Sequence, residues 1–306
     1  MEIKNRNKNT IQAFQDYLRI ERNMSLHTIE SYTYDLNQCE QFLLNELQTD
    51  FETVKFKDLR YWVVYLSKQH YSSTSINRKI ASIKSLFKFL IQIDYIQTNP
   101  TSALKALKTP KHLPDFYSND ELETLFQNES MFESTNEGQR DRLLMIMLFS
   151  TGIRQSELIN MRWDDIDFSR KQIKILGKRQ KERFVYLTEE LSKLLVFYKQ
   201  GEFGENSTSE SLVFLTNKYN KLYPKFVYRK VNYYLSFISN GRKKSPHVLR
   251  HSFATELMNN DVEINSIKEV LGHSNLSSTE IYTHNSKDRM IKEYKSYHPR
   301  GGNKKK

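Results

Sequence analysis

The chain predicts a mainly α fold: an N-terminal helical bundle followed by an α+β domain with a small antiparallel sheet. Three observations carry this. Apolar residues recur at helical spacing through the first part of the chain. Two stretches that alternate with period two, Gln172–Leu176 (QIKIL) and Arg183–Leu187 (RFVYL), flank the polar run Gly177–Lys181. Between the two regions, Lys108–Pro114 (KTPKHLP) holds two prolines, which resist helix on both sides. The reading is an N-terminal domain over 1–107, a linker over 108–115 and a C-terminal domain over 116–306.

Four helices follow from the first region. Phe14, Tyr17, Leu18 and Ile20 mark the first stripe. Ser25 is an N-cap for a second helix carrying Ile29, Tyr32, Leu36, Phe42 and Leu43, because a serine hydroxyl can accept an amide N–H that the first turn leaves unpaired. Leu59, Val63 and Leu66 make a third. Ile76, Ile80, Ile83, Phe87 and Leu90, spaced by three and four, make a fourth, whose other face is expected to be basic through Arg78, Lys79, Lys84 and Lys88. Past the linker, Ser118 and Glu121 form a capping box. Residues 139–151 and 156–161 are helical, the two alternating stretches form a hairpin, and helices dominate from Glu189 onward, broken by a loop at 201–209.

Composition narrows the function. Lys and Arg number 47 against 36 Asp and Glu, a net charge of +11, and the excess is spread as +4 over 1–110 and +7 over 111–306. A surplus of base on both halves points to an acidic partner, nucleic acid first. The single cysteine, Cys39, cannot close a disulfide within the chain, which fits a reducing cytoplasm. The longest apolar run, Leu143–Phe149, is too short to span a membrane and reads as buried helix. The opening MEIKNRNKNT has no apolar core of a secretion signal.

Four short segments can carry chemistry. In Thr151–Leu158 (TGIRQSEL), Gly152 permits a sharp turn, and Arg154 beside an apolar core must meet a partner; Glu157 is the local candidate, and a purely structural pair remains open. Lys178 sits on the hairpin turn. His247 and Arg250 are three apart on one helix and share a face, a fixed cation beside an imidazole that can move a proton. A zinc site on His247 and His251 would want a glutamate directly after the first histidine, where this chain has Val248. His273 follows Gly272, and Tyr282 stands nine residues on. The adjacent Asp164 and Asp165 could suggest metal binding, but they follow Trp163 in a turn-like stretch and read better as solvated.

Taken together, TGIRxSEL, LGK at 176–178, HVLRHSFAT at 247–255, LGH at 271–273 and IYTH at 281–284 resemble the tyrosine recombinase (phage integrase) family, and the ending Tyr297–Arg300 is most similar to its bacterial Xer branch. The resemblance spans nearly the whole chain. It implies a SAM-like core-binding N-terminal domain and a C-terminal catalytic domain. It implies that Arg154, Lys178, His247, Arg250, His273 and Tyr282 are catalytic, with Tyr282 the nucleophile, and that Glu157 supports them. One departure is Glu256, where relatives often carry histidine; that position is not among the catalytic six.

The implied reaction is cutting and rejoining of DNA through a 3′-phosphotyrosine, without metal or cofactor. Two guanidiniums would hold the charge that builds on the phosphate oxygens. Lys178 would protonate the leaving 5′-oxygen, His247 would take the proton of Tyr282, and His273 would bond a phosphate oxygen. The partner is a double-stranded recombination site, gripped by the two domains as a clamp. Arg78, Lys79, Lys84, Lys88, Arg242, Lys243 and Lys244 are candidate DNA contacts. Strand exchange would occur in a tetramer with itself or a related recombinase, with the segment carrying Met290, Ile291, Tyr294 and Tyr297 docking on a neighbour. The expected task is resolving chromosome dimers; integration of a mobile element is the alternative.

Overall fold

A computed structural model describes residues 2–109, 115–177, 182–201, 211–239, 241–260 and 262–272. The chain divides into two compact units, Met1–His112 and Leu113–Lys306. Most of the expected linker, residues 110–114, lies outside the described residues.

The first unit is built from four helices: α1 (Glu2–Ile20), α2 (Leu26–Leu47), α3 (Phe56–Lys68) and α4 (Ser73–Gln92). Local chemistry sets their starts. The Ser25 hydroxyl accepts the Thr28 amide at 3.3 Å, and Ser72 accepts the Ser75 amide at 3.2 Å. Phe14, Leu18, Leu36, Cys39, Leu43, Trp62, Leu66, Ile83 and Phe87 bury together as one core. The five apolar positions expected on α4 are all buried. Ile20, expected in the first stripe, is instead 72% exposed, because it is the last residue of α1 and reaches past the packed face.

The basic face of α4 also needs correction. Lys79 is buried at 1% exposure, with its ammonium 2.9 Å from Asp35 Oδ1. Asp35 is buried on α2; its Oδ2 accepts from Arg78 Nη1 at 2.6 Å and from the Ser82 hydroxyl at 2.9 Å. The rings of Tyr34 and Tyr71 lie 5.1 and 5.4 Å from the Lys79 nitrogen. A buried carboxylate must be paired, and Lys79 shares that task with Arg78, one cation on each oxygen. The charged surface of α4 is therefore Arg78, Lys84 and Lys88, of which Arg78 and Lys88 are exposed and Lys84 is half-buried.

The second unit is centred on α6 (Asn136–Thr151), which follows α5 (Asn119–Gln127). From Leu143 to Phe149 every residue of α6 is buried, so this stretch of the helix is apolar all round and runs through the core. The expected capping box opens α5: Ser118 N–H donates to Glu121 Oε2 at 2.9 Å, and Glu121 N–H donates to Ser118 Oγ at 3.3 Å. Next come α7 (Gln155–Asn160) and a three-stranded antiparallel sheet in the order β1 (Ile166–Asp167), β2 (Gln172–Leu176), β3 (Glu182–Tyr186). In the β2–β3 pairing, Ile173 faces Val185 and Leu176 faces Glu182. The short β1 adds to the expected hairpin; two residues are too few to show alternation in sequence. Helices α8 (Glu189–Gln200), α9 (Pro224–Ser236), α10 (Pro246–Asn259) and α11 (Ile264–Leu271) follow among the described residues. Among the described residues no helix is long and apolar enough to cross a membrane.

Candidate active site

The site is assembled where α6 ends. Gly152 caps α6 in the left-handed region, φ +60°, and its N–H donates to Leu148 O at 3.2 Å. A Cβ there would stand 2.4 Å from Phe253 of α10 and 2.9 Å from Leu271 of α11. The missing side chain thus allows both helices to close over the turn. The turn hands the chain to Arg154, which caps α7, and Glu157 one turn on accepts the Arg154 backbone N–H through Oε2 at 2.7 Å.

On α10, Pro246 takes the first helical position, where its missing N–H costs nothing. His247 is exposed and Arg250, on the next turn, is 8% exposed. Arg250 donates to the carbonyls of Gly152 and Leu271, both at 2.5 Å. Arg154 donates through Nη2 to Gly272 O at 2.6 Å and through Nη1 to Glu157 Oε1 at 2.8 Å. A third guanidinium joins them from β3: Arg183 Nε donates to Val270 O at 3.0 Å, while Nη1 and Nη2 reach Glu157 Oε1 and Oε2 at 2.9 and 2.7 Å. The C-terminal end of α11 therefore offers three successive carbonyls, Val270, Leu271 and Gly272, each to a different arginine. Helix C-termini carry unpaired carbonyls and partial negative charge, so cations gather there.

The electrostatics follow from this crowding. Burial opposes ionisation of Glu157, but Arg183 and then Arg154 outweigh it, and its carboxyl is held down at about 2. Arg250 is lowered to about 10, first by burial and then by the nearby charge of Arg154. It stays protonated at neutral pH. Three guanidiniums and one carboxylate leave an excess of positive charge, and Arg154, with 34% of its side chain exposed, presents that charge to solvent. Such a cluster is suited to a phosphate.

Of the residues singled out from the sequence, Arg154, Glu157 and Arg250 are brought together, with His247 on the same helix as Arg250. Lys178, His273 and Tyr282 lie outside the described residues. In sequence, Lys178 falls between the paired ends of β2 and β3, and His273 directly follows Gly272. Arg183 is a member of the cluster that the motifs do not point to. Its signal in the sequence is an arginine two residues before the buried Val185, hence on the inward face of a strand, where it must find an acid.

The basic run 242–244 is not uniform. Arg242 spans both oxygens of Glu121 at 2.5 and 3.0 Å and lies 4.2 Å from the Tyr117 ring, so its fork is engaged within the protein. Lys243 is exposed and Lys244 half-buried. Asp165, weighed as a metal ligand, accepts the Arg162 amide at 2.8 Å and caps a short 3-10 turn over Trp163–Asp165.

Comparison with known proteins matches residues 116–289 to the phage integrase family and residues 11–93 to the phage integrase N-terminal SAM-like domain. The chain is 37% identical over 308 residues to the tyrosine recombinase XerC of Oceanobacillus iheyensis, covering 96% of this chain and 97% of the relative. It is 35% identical over 293 residues to XerC of Staphylococcus aureus, covering 94% and 96%. Among solved structures it is similar to a Tn1549 transposon integrase in complex with a circular intermediate DNA, with TM-score 0.70, 20% identity and coverage of 92% and 98%. It is also similar to the XerH site-specific recombinase bound to a palindromic difH substrate, with TM-score 0.68, 23% identity and coverage of 92% and 83%. At these identities the two structures bear on the fold.

Proposed function

The chain belongs to the phage integrase family of tyrosine recombinases, and from that premise we propose how its own residues cut and rejoin DNA and which task they serve. The observation that carries the proposal is the pair Arg154 and Arg250, two guanidiniums held on adjacent carbonyls of one helix end.

A phosphodiester repels nucleophiles through its own charge, and the pentacoordinate transition state gathers more charge on the non-bridging oxygens. Arg154 and Arg250 meet that charge with donors already fixed in place, so little reorganisation is needed during the reaction. Tyr282 is the nucleophile: its phenolic oxygen bonds to phosphorus, and the 5′-oxygen leaves. An ordinary phenol ionises near pH ~10, and nearby cations favour the phenolate. His247 takes the phenolic proton, Lys178 gives one to the leaving oxygen, and His273 bonds a phosphate oxygen. The covalent 3′-phosphotyrosine keeps the bond energy, so a 5′-hydroxyl can reverse the step on another strand without ATP. The scheme uses no metal and no cofactor.

Domains over 1–107 and 116–306, joined at 108–115, would clamp a double-stranded site, and a tetramer of this chain with itself or a related recombinase would exchange strands. The setting is the cytoplasm and the task is resolution of chromosome dimers, supported by the XerC relatives over nearly the whole chain. The test is a nicked duplex carrying the site that the chain selects from fragmented genomic DNA. Wild type should leave a covalent protein–DNA band on a denaturing gel. Tyr282→Phe should bind the same duplex and leave none; a band from that variant would reject the assignment.

A further inference from the structure

Arg154 faces a difficulty as a phosphate ligand. Its nearest acid, Glu157, takes its side-chain nitrogen at 2.8 Å and its backbone amide at 2.7 Å. A guanidinium paired one-to-one with a carboxylate has lost most of its attraction for another anion. The pair alone has no net charge, and nothing in it sets where the fork of Arg154 points.

We infer that Arg183 is a positioning residue for DNA cleavage, holding Glu157 by both oxygens so that Arg154 is fixed in place yet remains available to the phosphate. The inference rests on the reading of Arg154 as a phosphate-binding cation. Arg183 spans Oε1 and Oε2 of Glu157 at 2.9 and 2.7 Å, the bidentate geometry that only arginine provides. Each Glu157 oxygen thereby accepts two N–H donors, one from Arg183 and one from Arg154. The carboxylate is shared by two cations, so the trio carries a net positive charge. Arg183 is itself tied down, with its side chain 11% exposed and Nε on Val270 O at 3.0 Å.

The same side chain also packs on the turn that receives Arg154. A Cβ on Gly272 would lie 3.1 to 3.2 Å from Arg183 Cδ, Nε and Nη1, and Gly272 O is the acceptor of Arg154 Nη2 at 2.6 Å. Arg183 thus fixes both groups that orient Arg154: the carboxylate on one side and the carbonyl on the other. It stands on β3, 26 residues from Glu157 in the sequence.

The test compares wild type, Arg183→Lys, Arg183→Gln, Arg154→Ala and the double variant Arg154→Ala/Arg183→Gln. Each is given saturating nicked duplex of the selected site, and the rate of adduct formation is followed. Lysine keeps the charge but cannot span two oxygens, and it serves if the glutamine variant fails to fold. A misplacement near 1 Å at a reacting centre can cost on the order of 10²-fold. Both single Arg183 variants should therefore slow adduct formation by about ten- to a hundredfold, with duplex affinity little changed. In the Arg154→Ala background the Arg183 change should add little, because its effect runs through Arg154. Carboxyl-labelled glutamate NMR supplies a readout free of DNA: Glu157 should titrate near 2 in wild type and move up toward the ordinary range in Arg183→Gln. An Arg183 variant that cleaves at the wild-type rate, a full additional loss in the double variant, or a Glu157 titration that does not move would each overturn the inference. A wild-type chain that forms no adduct would reject the cleavage reading, while the Glu157 titration would still report the link to Arg183.

Discussion

Arg154 and Arg250 donate to the carbonyls of neighbouring residues, Gly272 and Leu271, at the last turn of α11. The two cations are thus set by one helix end, although they are far apart in the sequence. They differ in depth: Arg250 is 8% exposed as a residue, whereas a third of the Arg154 side chain meets solvent. Replacing either by glutamine should slow adduct formation by about two to three decades, the usual loss for one fixed donor to a developing oxyanion. The stability effects should separate them. Arg250→Gln strands the Gly152 and Leu271 carbonyls in the core and should lower the Tm clearly, at about 1–3 kcal/mol per unsatisfied group. Arg154→Gln should lower it less. Adduct kinetics with thermal melts on both variants check the pair.

Gly152→Ala tests the turn beneath those carbonyls. The position has φ +60°, and the new Cβ would fall 2.4 Å from the ring of Phe253. Left-handed strain and overpacking add, for a loss on the order of 1–3 kcal/mol or more. The Tm should fall and the adduct rate with it, because both arginines hang on the helices that close over this turn. A variant with wild-type Tm would show that α10 and α11 can back away freely.

Much of this arrangement is legible in the amino-acid sequence. The capping serines at 25 and 118 and the stripe on α4 have short-range causes, and those elements form where expected. The pairing of Arg154 with Glu157 is likewise local, three residues apart on one helix turn. Contacts between residues distant in the chain are not legible in this way. Asp35 draws Lys79 into the core from 44 residues away, so a lysine that fits a basic stripe by spacing is a buried counterion by packing. Arg183 reaches Glu157 across 26 residues and Val270 across 87, and no periodicity encodes either. Composition groups Arg242 with its basic neighbours, yet it meets Glu121 across 121 residues.

The burial of Lys79 separates the lysines of α4 by role. Lys88→Ala should weaken duplex binding and reduce the slope of log affinity against log salt by about one, as expected for one lost phosphate contact. Lys79→Met should leave that slope unchanged and act on stability, because it leaves Asp35 as a buried charge held only by Arg78 and Ser82. Leaving a buried charge with no counterion typically costs about 3–5 kcal/mol; Arg78 still pairs Asp35 in this variant, so the loss should fall below that range. Binding isotherms at several salt concentrations, alongside melts, distinguish the two effects. An equal change of slope in both variants would return Lys79 to the DNA face.

Acid should reveal the Glu157 cluster. Its carboxyl sits at about 2 in the folded chain against an ordinary 4.5, so the folded state binds this proton less readily than the unfolded state. The stabilisation is fully present above pH 4.5 and is lost as the pH falls through the folded value near 2. Glu157→Gln has no such proton to take up. Wild type should therefore melt higher than the variant at neutral pH, and the two Tm curves should converge as the pH drops from 4.5 toward 2. The glutamine cannot neutralise Arg183 and Arg154 together, so among the described residues the variant starts from a cluster of three cations with no anion beside them. Added sulfate should raise its Tm more than that of wild type, since an anion can then enter beside Arg154. Curves that stay parallel through the acid range would mean that Glu157 is not the group whose ionisation holds this end of the domain together.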